Sequence, residues 1–202
     1  MNTGATPALA IVVLAAGFSR RLGHPKALAP VRGVTLLRRT MAAVAPFAAT
    51  PIIVVVPPGA GRYRLGLLPG QRVVFAANRA RATGLSSSVR LGLHRARYSA
   101  GALLLPVDLV DLAGRDVERL ISRWRAARRR IAARILGQDV GTPLILPRWL
   151  YPRAAELTGD LGLRQVLARL PRELLSGVAL PSAAADVDTR QDLDRARRRS
   201  RA

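Results

Sequence analysis

The 202-residue sequence contains no cysteine, which excludes disulfides, thiolate nucleophiles and zinc sites with sulfur ligands. Aromatic residues make up only 4%, leaving few platforms on which the bases of single strands stack. No run approaches the ~20 consecutive apolar residues that span a bilayer. The apolar stretch at residues 9–16 lacks the basic n-region of a signal peptide and reads as a first buried strand, so a cytoplasmic protein with no membrane partner is expected. Acidic residues are missing from the first half altogether, the first being Asp108. Lysine is almost missing too: of 33 basic residues, Lys26 is the only lysine and the other 32 are arginine.

What is present is positive charge. Residues 1–107 carry 13 arginines and one lysine with no carboxylate, +14, while residues 108–202 carry 19 arginines against 12 acids, +7. An excess this large favours polyanionic partners such as nucleotides or nucleic acid. The arginines are spread along the chain, so most of them read as solvated surface. With no helix-turn-helix or zinc-finger spacing, nucleic acid is disfavoured as a partner. Length and an apolar content of 50% fit one globular domain: residues 1–194 read as that domain and residues 195–202 as a basic, solvated tail.

Short apolar β-rich runs alternate with helical patterns. Residues 10–15, 52–56, 73–76 and 102–107 read as strands buried on both faces. Between them the period becomes helical, first at Leu36, Leu37, Met41 and Val44, then at Val89, Leu93 and Ala96. It is most regular at Val117, Leu120, Ile121, Trp124 and Ala127. A strand at residues 131–136, helical segments near 148–157 and 162–170 and a strand near 174–180 follow. The last helix begins at Thr189-Arg190-Gln191-Asp192, a capping-box-like sequence. This alternation predicts an α/β fold with a Rossmann-like, mostly parallel sheet and helices on both faces. Ligands of such sheets bind at the carboxyl ends of the strands, here residues 17–26, 57–61, 77–88 and Asp108.

At the first of these ends, small residues Ala15, Ala16 and Gly17 admit close approach of a ligand to the backbone, and Gly17 permits a positive φ. Successive backbone N–H groups there suit an anion, with Arg21 and Lys26 neutralising its oxygens. The same residues also fit a plain glycine turn with surface arginines. The segment is not a P-loop, because Ala27 follows Lys26 and the glycine spacing differs, nor does it contain G-x-G-x-x-G. His24 and His94 have no second histidine at metal-ligand spacing and read as surface residues.

Residues 14–26 resemble the L-A-A-G-x-S-x-R-M-G-x-x-K signature of the MobA/MocA-like nucleotidyltransferases of molybdenum cofactor maturation. Leu14, Ala15, Ala16, Gly17, Ser19, Arg21, Gly23 and Lys26 match, and Leu22 stands in the methionine position. Asn78 followed by Gly84-Leu85-Ser86-Ser87-Ser88 is similar to the family's N…G-M-S-S-S segment, and Pro106-Val107-Asp108 sits where the family has its strand-end aspartate. Gly141-Thr142-Pro143 resembles its G-x-P turn before a strand, Gly159-Asp160-Leu161-Gly162 its G-D-x-G segment, and Asp186-Val187-Asp188-Thr189 its D-[IV]-D-T segment. The sequence departs from the pattern at Leu109-Val110 after the aspartate, at Leu163 for an alanine and at Arg190 for a proline.

The resemblance implies a nucleotide-diphospho-sugar transferase-like fold and Mg²⁺-dependent transfer of a nucleotide from an NTP to a phosphate acceptor, with pyrophosphate leaving. Such chemistry needs no protein nucleophile, only positioning and charge neutralisation. By the same resemblance, Leu14, Ala15, Ala16, Gly17 and Gly84 contact the nucleotide, together with the loops after the second and third predicted strands. Asn78 faces the base or ribose. Arg21 and Lys26 hold the triphosphate and, with Asp108, form the catalytic set. Asp108 and Asp188 bind Mg²⁺. Residues 141–143 and 159–162 line the acceptor, a molybdopterin-type molecule whose nucleotide derivative passes to a molybdoenzyme. L-A-A-G is more typical of cytidylyl- than of guanylyltransferases, whose usual form is L-A-G-G, so Ala16 favours CTP. The competing readings are a guanylyltransferase, another small-molecule NTP transferase of the same fold, and a non-catalytic cofactor- or nucleic-acid-binding protein.

Overall fold

The run Leu-Ala-Ile-Val-Val-Leu at Leu9–Leu14 forms β1, an interior strand of a seven-stranded sheet. Its side chains alternate between two apolar layers, as a strand buried on both faces requires. The computed structural model describes residues 8–159, 163–183 and 186–199. After β1 come a short hairpin of β2 (Pro30–Val31) and β3 (Val34–Thr35), then α1 (Leu36–Val44), β4 (Ile52–Val56) and β5 (Val73–Ala77). Next are α2 (Leu85–Arg95), β6 (Gly101–Pro106), α3 (Gly114–Ala126), β7 (Ile131–Leu136) and β8 (Asp139–Pro147). The remaining elements are α4 (Tyr151–Ala155), α5 (Arg164–Ala168), β9 (Leu175–Val178) and α6 (Arg190–Arg199).

The sheet order is β5-β4-β1-β6-β8-β7-β9. Pairing is parallel from β5 through β6 and between β7 and β9, and antiparallel where β8 meets β6 and β7. The expected mostly parallel α/β sheet is therefore present, with one antiparallel hairpin set into it. Residues 141–143, expected as a turn before a strand, instead lie within β8. The register jumps from Ala133–Leu144 to Arg134–Gly141, so Thr142 and Pro143 bulge out of the ladder. A bulge is where a strand tolerates proline, which has no N–H to donate.

Two cores flank the sheet. Ile11, Val13 and Ala15 face Leu37, Met41 and Val44 of α1 and Val117, Leu120 and Trp124 of α3. Val12, Leu14 and Ala16 face Val89 and Leu93 of α2 and Leu150, Ala154 and Leu167 of the segments after β8. Helix α2 approaches closely because residue 92 is glycine: a Cβ there would lie 2.4 Å from Val12 Cγ1. A third, smaller cluster joins Leu22, Val31, Leu36, Val110, Val187 and Leu193. It ties together the loop after β1, the β2–β3 hairpin, the loop after β6 and helix α6.

The capping box expected at residues 189–192 forms. Thr189 Oγ1 accepts from the Asp192 N–H at 3.2 Å, and Asp192 Oδ2 accepts from the N–H groups of Asp188 and Thr189 at 3.1 and 2.8 Å. Hydrogen bonds from Thr189 and Arg195 hold the Asp192 carboxyl well below the usual carboxylate range. Helix α6 continues across position 195, where the sequence suggested the start of a solvated tail, and Arg197 donates to the Pro30 carbonyl at 3.2 Å. Among the described residues, no helix is long and apolar enough to cross a membrane.

Candidate active site

The chain leaves β1 at Leu14 and curls on Ser19, whose φ of 52° turns it back. The Ser19 carbonyl accepts from the N–H groups of Leu22 and Gly23 at 3.0 and 3.1 Å, and its hydroxyl accepts from the Lys26 N–H at 2.9 Å. Gly23, at φ +80°, takes a conformation that strains residues with a Cβ. Beside it lies the guanidinium of Arg190, whose Nε donates to the Leu22 carbonyl at 3.4 Å. The arginine that departs from the motif thus docks the start of α6 onto this loop. Among the described residues, the backbone N–H groups of Ala16, Gly17 and Phe18 have no protein partner, which leaves a run of donors suited to an anion.

Lys26 crosses the mouth of the loop. Its Nζ donates to Asp108 Oδ2 at 3.1 Å and to Asp188 Oδ1 at 2.6 Å, and Arg21 Nη2 lies 3.5 Å from Asp188 Oδ2. Asp108 stands just past the end of β6 and Asp188 just before α6. They are held side by side by a β-bridge between Leu109 and Asp186 and by a hydrogen bond from the Val187 N–H to the Asp108 carbonyl. Leu109 and Val110, two further departures from the motif, are only 2% and 3% exposed. Val110 packs against Leu22, Val187 and Leu193, so apolar residues bring the three loops together.

Burial alone would lower the pKa of Lys26. The charge of Asp108 and the hydrogen bonds to both carboxylates outweigh it and hold the ammonium above its ordinary value. Burial pushes the Asp108 carboxyl above its usual range, against the opposing pull of Lys26. Two carboxylates converging on one cation form a hard-oxygen donor set that fits magnesium or manganese, both of which take carboxylates together with phosphate oxygens.

These residues border a cleft of about 380 Å³, within the usual range for small-molecule sites. Its walls come from residues 14–21, from Arg81, Gly84, Leu85 and Ser88, from residues 106–109, and from Arg134, Thr142, Asp186 and Asp188. Among the described residues, five cations and three carboxylates face it. Residues 11–174 match the family model described as a MobA-like NTP transferase domain. The chain belongs to the MobA-like NTP transferase family. It is 32% identical over 156 residues to a probable molybdenum cofactor guanylyltransferase of Rhodopirellula baltica, an alignment covering 76% of this chain and 72% of that protein. Its fold is similar to that of Rv0371c from Mycobacterium tuberculosis H37Rv, at TM-score 0.78 and 28% identity, covering 96% and 99% of the two chains. A structure of Rv0371c in complex with manganese gives TM-score 0.74 and 26% identity, with 96% and 100% covered.

Of the residues singled out from the MobA-like motifs, Leu14, Ala15, Ala16, Gly17, Arg21, Lys26, Gly84, Asp108 and Asp188 all meet at the cleft. Gly17 does so without a positive φ, and a Cβ there would touch no protein atom within 4 Å. Its smallness therefore serves the space of the cleft rather than the turn. Gly84 does need glycine. At φ 97° and ψ −179° it heads α2 in a region that only glycine adopts freely.

Asn78 is not at the cleft. It is 2% exposed, and its Nδ2 donates to Ser87 Oγ and Ser88 Oγ, both at 2.9 Å, while its Oδ1 accepts from the Ala80 N–H at 3.0 Å. Every polar atom of its amide is engaged within the protein, so it fastens the loop after β5 to the first turn of α2. Asn78→Ala removes three hydrogen bonds and strands buried hydroxyls, at about 2 kcal/mol. The melting temperature is expected to fall by about 4–8 °C, read by thermal denaturation.

The loop at residues 57–61 does not line the cleft either. Gly159 stands off it, with its carbonyl accepting from the Ser86 N–H at 3.2 Å, and residues 160–162 lie outside the described residues. His24 and His94 are exposed, as expected. Among the cleft residues that the motifs did not single out are Phe18, Arg20, Arg81 and Arg134. The Arg81 guanidinium stacks 3.9 Å from the centroid of Phe18 at the cleft edge. Arg134 carried a readable signal, being the one charged residue in the apolar strand Ile-Ala-Ala-Arg-Ile-Leu.

Proposed function

We propose that this nucleotidyltransferase transfers CMP from CTP to the terminal phosphate of a molybdopterin-type acceptor in a divalent-metal-dependent reaction, the product passing to a molybdoenzyme. The observation that supports it most directly is the meeting of Asp108, Asp188 and Lys26 at the mouth of a loop with three N–H donors that have no partner among the described residues. An acceptor phosphate oxygen attacks the α-phosphorus, the bond from that phosphorus to the bridging oxygen breaks, and pyrophosphate leaves with the electron pair. A phosphate monoester dianion has no proton to surrender, so no general base is needed. That agrees with a cleft of cations and carboxylates. Lys26, Arg21 and the loop N–H groups take up charge on the triphosphate and hold it in line. Asp108 and Asp188 would hold a divalent cation such as Mg²⁺, which when bound would supply Lewis-acid neutralisation of the phosphates.

The molybdopterin-type acceptor is supported by the name of the Rhodopirellula relative. That name also favours a second reading in which GTP is the donor. The CTP reading rests on Ala16, which lines the cleft at 1% exposure and packs with Leu14 and Ala76. In the motif that residues 14–17 resemble, alanine at this position goes with cytidylyl transfer and glycine with guanylyl transfer. Pyrophosphate release should be measured with CTP, GTP, ATP and UTP in the presence of molybdopterin. CTP is expected to exceed GTP at least tenfold in kcat/KM, and Ala16→Gly is expected to narrow that ratio severalfold. A GTP preference in the wild type would overturn the CTP reading, and no NTP consumption would overturn transfer itself.

A further inference from the structure

We infer that Arg134 is the seat of the acceptor's phosphate, an assignment that rests on the nucleotidyl-transfer reading and names a residue for its second substrate. Arg134 is only 7% exposed, yet it borders the cleft. Its Nη1 donates to Asp186 Oδ1 at 3.1 Å. Among the described residues no other hydrogen bond engages its guanidinium, and its remaining nitrogens are not among the buried atoms without a partner. The spare donors of a planar fork therefore open onto the cleft. Among the described residues, a side chain this costly to bury is matched by a single carboxylate that is itself 52% exposed.

The placement fits an attacking phosphate. Arg20, Arg21, Lys26 and Arg81 come from the acid-free half that carries the nucleotide loop, whereas Arg134 is the cation that the second half contributes to the cleft. Nucleotidyl transfer brings a phosphate dianion up to a triphosphate, and the repulsion between them needs a cation on the acceptor's side. A guanidinium fork matches two phosphate oxygens at once. The β8 bulge lies opposite the Ala133–Arg134 step and brings Thr142 to the same wall. Asp186 positions the fork, and its bridge to Leu109 ties that wall to the Asp108 loop.

The test uses the full chain with Mg²⁺ and a saturating non-hydrolysable analogue of the preferred NTP, which fills the triphosphate site. Equilibrium dialysis with radiolabelled inorganic phosphate then reports the remaining anion seat. Wild type is expected to retain phosphate, Arg134→Gln to bind it at least tenfold more weakly and Arg134→Lys to fall between them. Affinity for the NTP analogue should stay within twofold in all three. In turnover assays the acceptor KM should rise at least tenfold in Arg134→Gln, while the NTP KM holds. If Arg134→Gln melts below the assay temperature, the Arg134→Lys comparison decides. Equal phosphate retention by wild type and variant, or none by wild type, overturns the assignment. Arg134-dependent retention in a protein that does not transfer nucleotide to molybdopterin would keep the anion seat and overturn the acceptor reading.

Discussion

Asp108→Asn is expected to lower kcat by about 10²–10³-fold, the scale of losing one preorganised electrostatic contact to the transition state, while the protein stays folded. The substitution keeps the shape of the side chain and removes one of the two formal charges that converge on the cation position. Asp108 reaches that position from the end of β6, and its backbone is fixed independently, because its carbonyl accepts from the Val187 N–H at 3.0 Å. The loss to the fold is one charge-assisted hydrogen bond to Lys26, about 1.5–3 kcal/mol. Pyrophosphate release and thermal melting, measured on one preparation, separate the two effects. A variant that melts near the wild-type temperature and still turns over within tenfold of it would remove Asp108 from the catalytic set. It would also revive a binding protein that uses the fold without chemistry.

Lys26→Met should have an effect of similar size on transfer and a distinctive one on stability. In the wild type the ammonium separates Asp108 from Asp188, at 3.1 and 2.6 Å. Without it two carboxylates face one another at close range, which is unfavourable. The metal-free variant is expected to melt below wild type, and millimolar Mg²⁺ or Mn²⁺ is expected to raise its melting temperature more than it raises that of wild type. The added cation meets a pair of carboxylates with no ammonium in competition, and stabilisation by a bound ion grows with its affinity for the folded state. Lys26→Arg is the informative control. It keeps the charge but puts a planar fork where the side chain is 15% exposed and flanked by two acids. A variant that retained full activity would show that charge alone is needed there.

The framework of the molecule was legible in the order of its residues because burial on both faces leaves a plain record. β1, β4 and β6 are nearly continuous runs of aliphatic residues, and the period of α3 is carried by Val117, Leu120, Ile121 and Trp124. β8 was hidden because Gly141, Thr142 and Pro143 have the composition of a turn. Only the partner strand, through the jump in register, makes them a bulge. The loop after β1 stood out in its local pattern of small residues, whereas the pairing of Asp108 with Asp188 did not. It depends on Leu109, Val110, Val187 and Leu193 packing across loops far apart in the chain, and without a motif to compare, no spacing rule reaches that far. Asn78, placed at the base or ribose by the motif resemblance, lies off the cleft lining, because the serines that absorb its amide come into view only in the fold. Arg134 showed the opposite pattern, a charge where the strand had no use for one.

The small apolar cluster beneath the cleft also sets an order of events during synthesis. Lys26 emerges early, its first carboxylate partner follows 82 residues later and its second 162 residues later. Until α6 has been made and has docked against Leu22 and Val110, Lys26 has Asp108 alone as its counter-charge. The loop after β1 is thus translated long before the protein has both of the acids that meet Lys26 in the folded state.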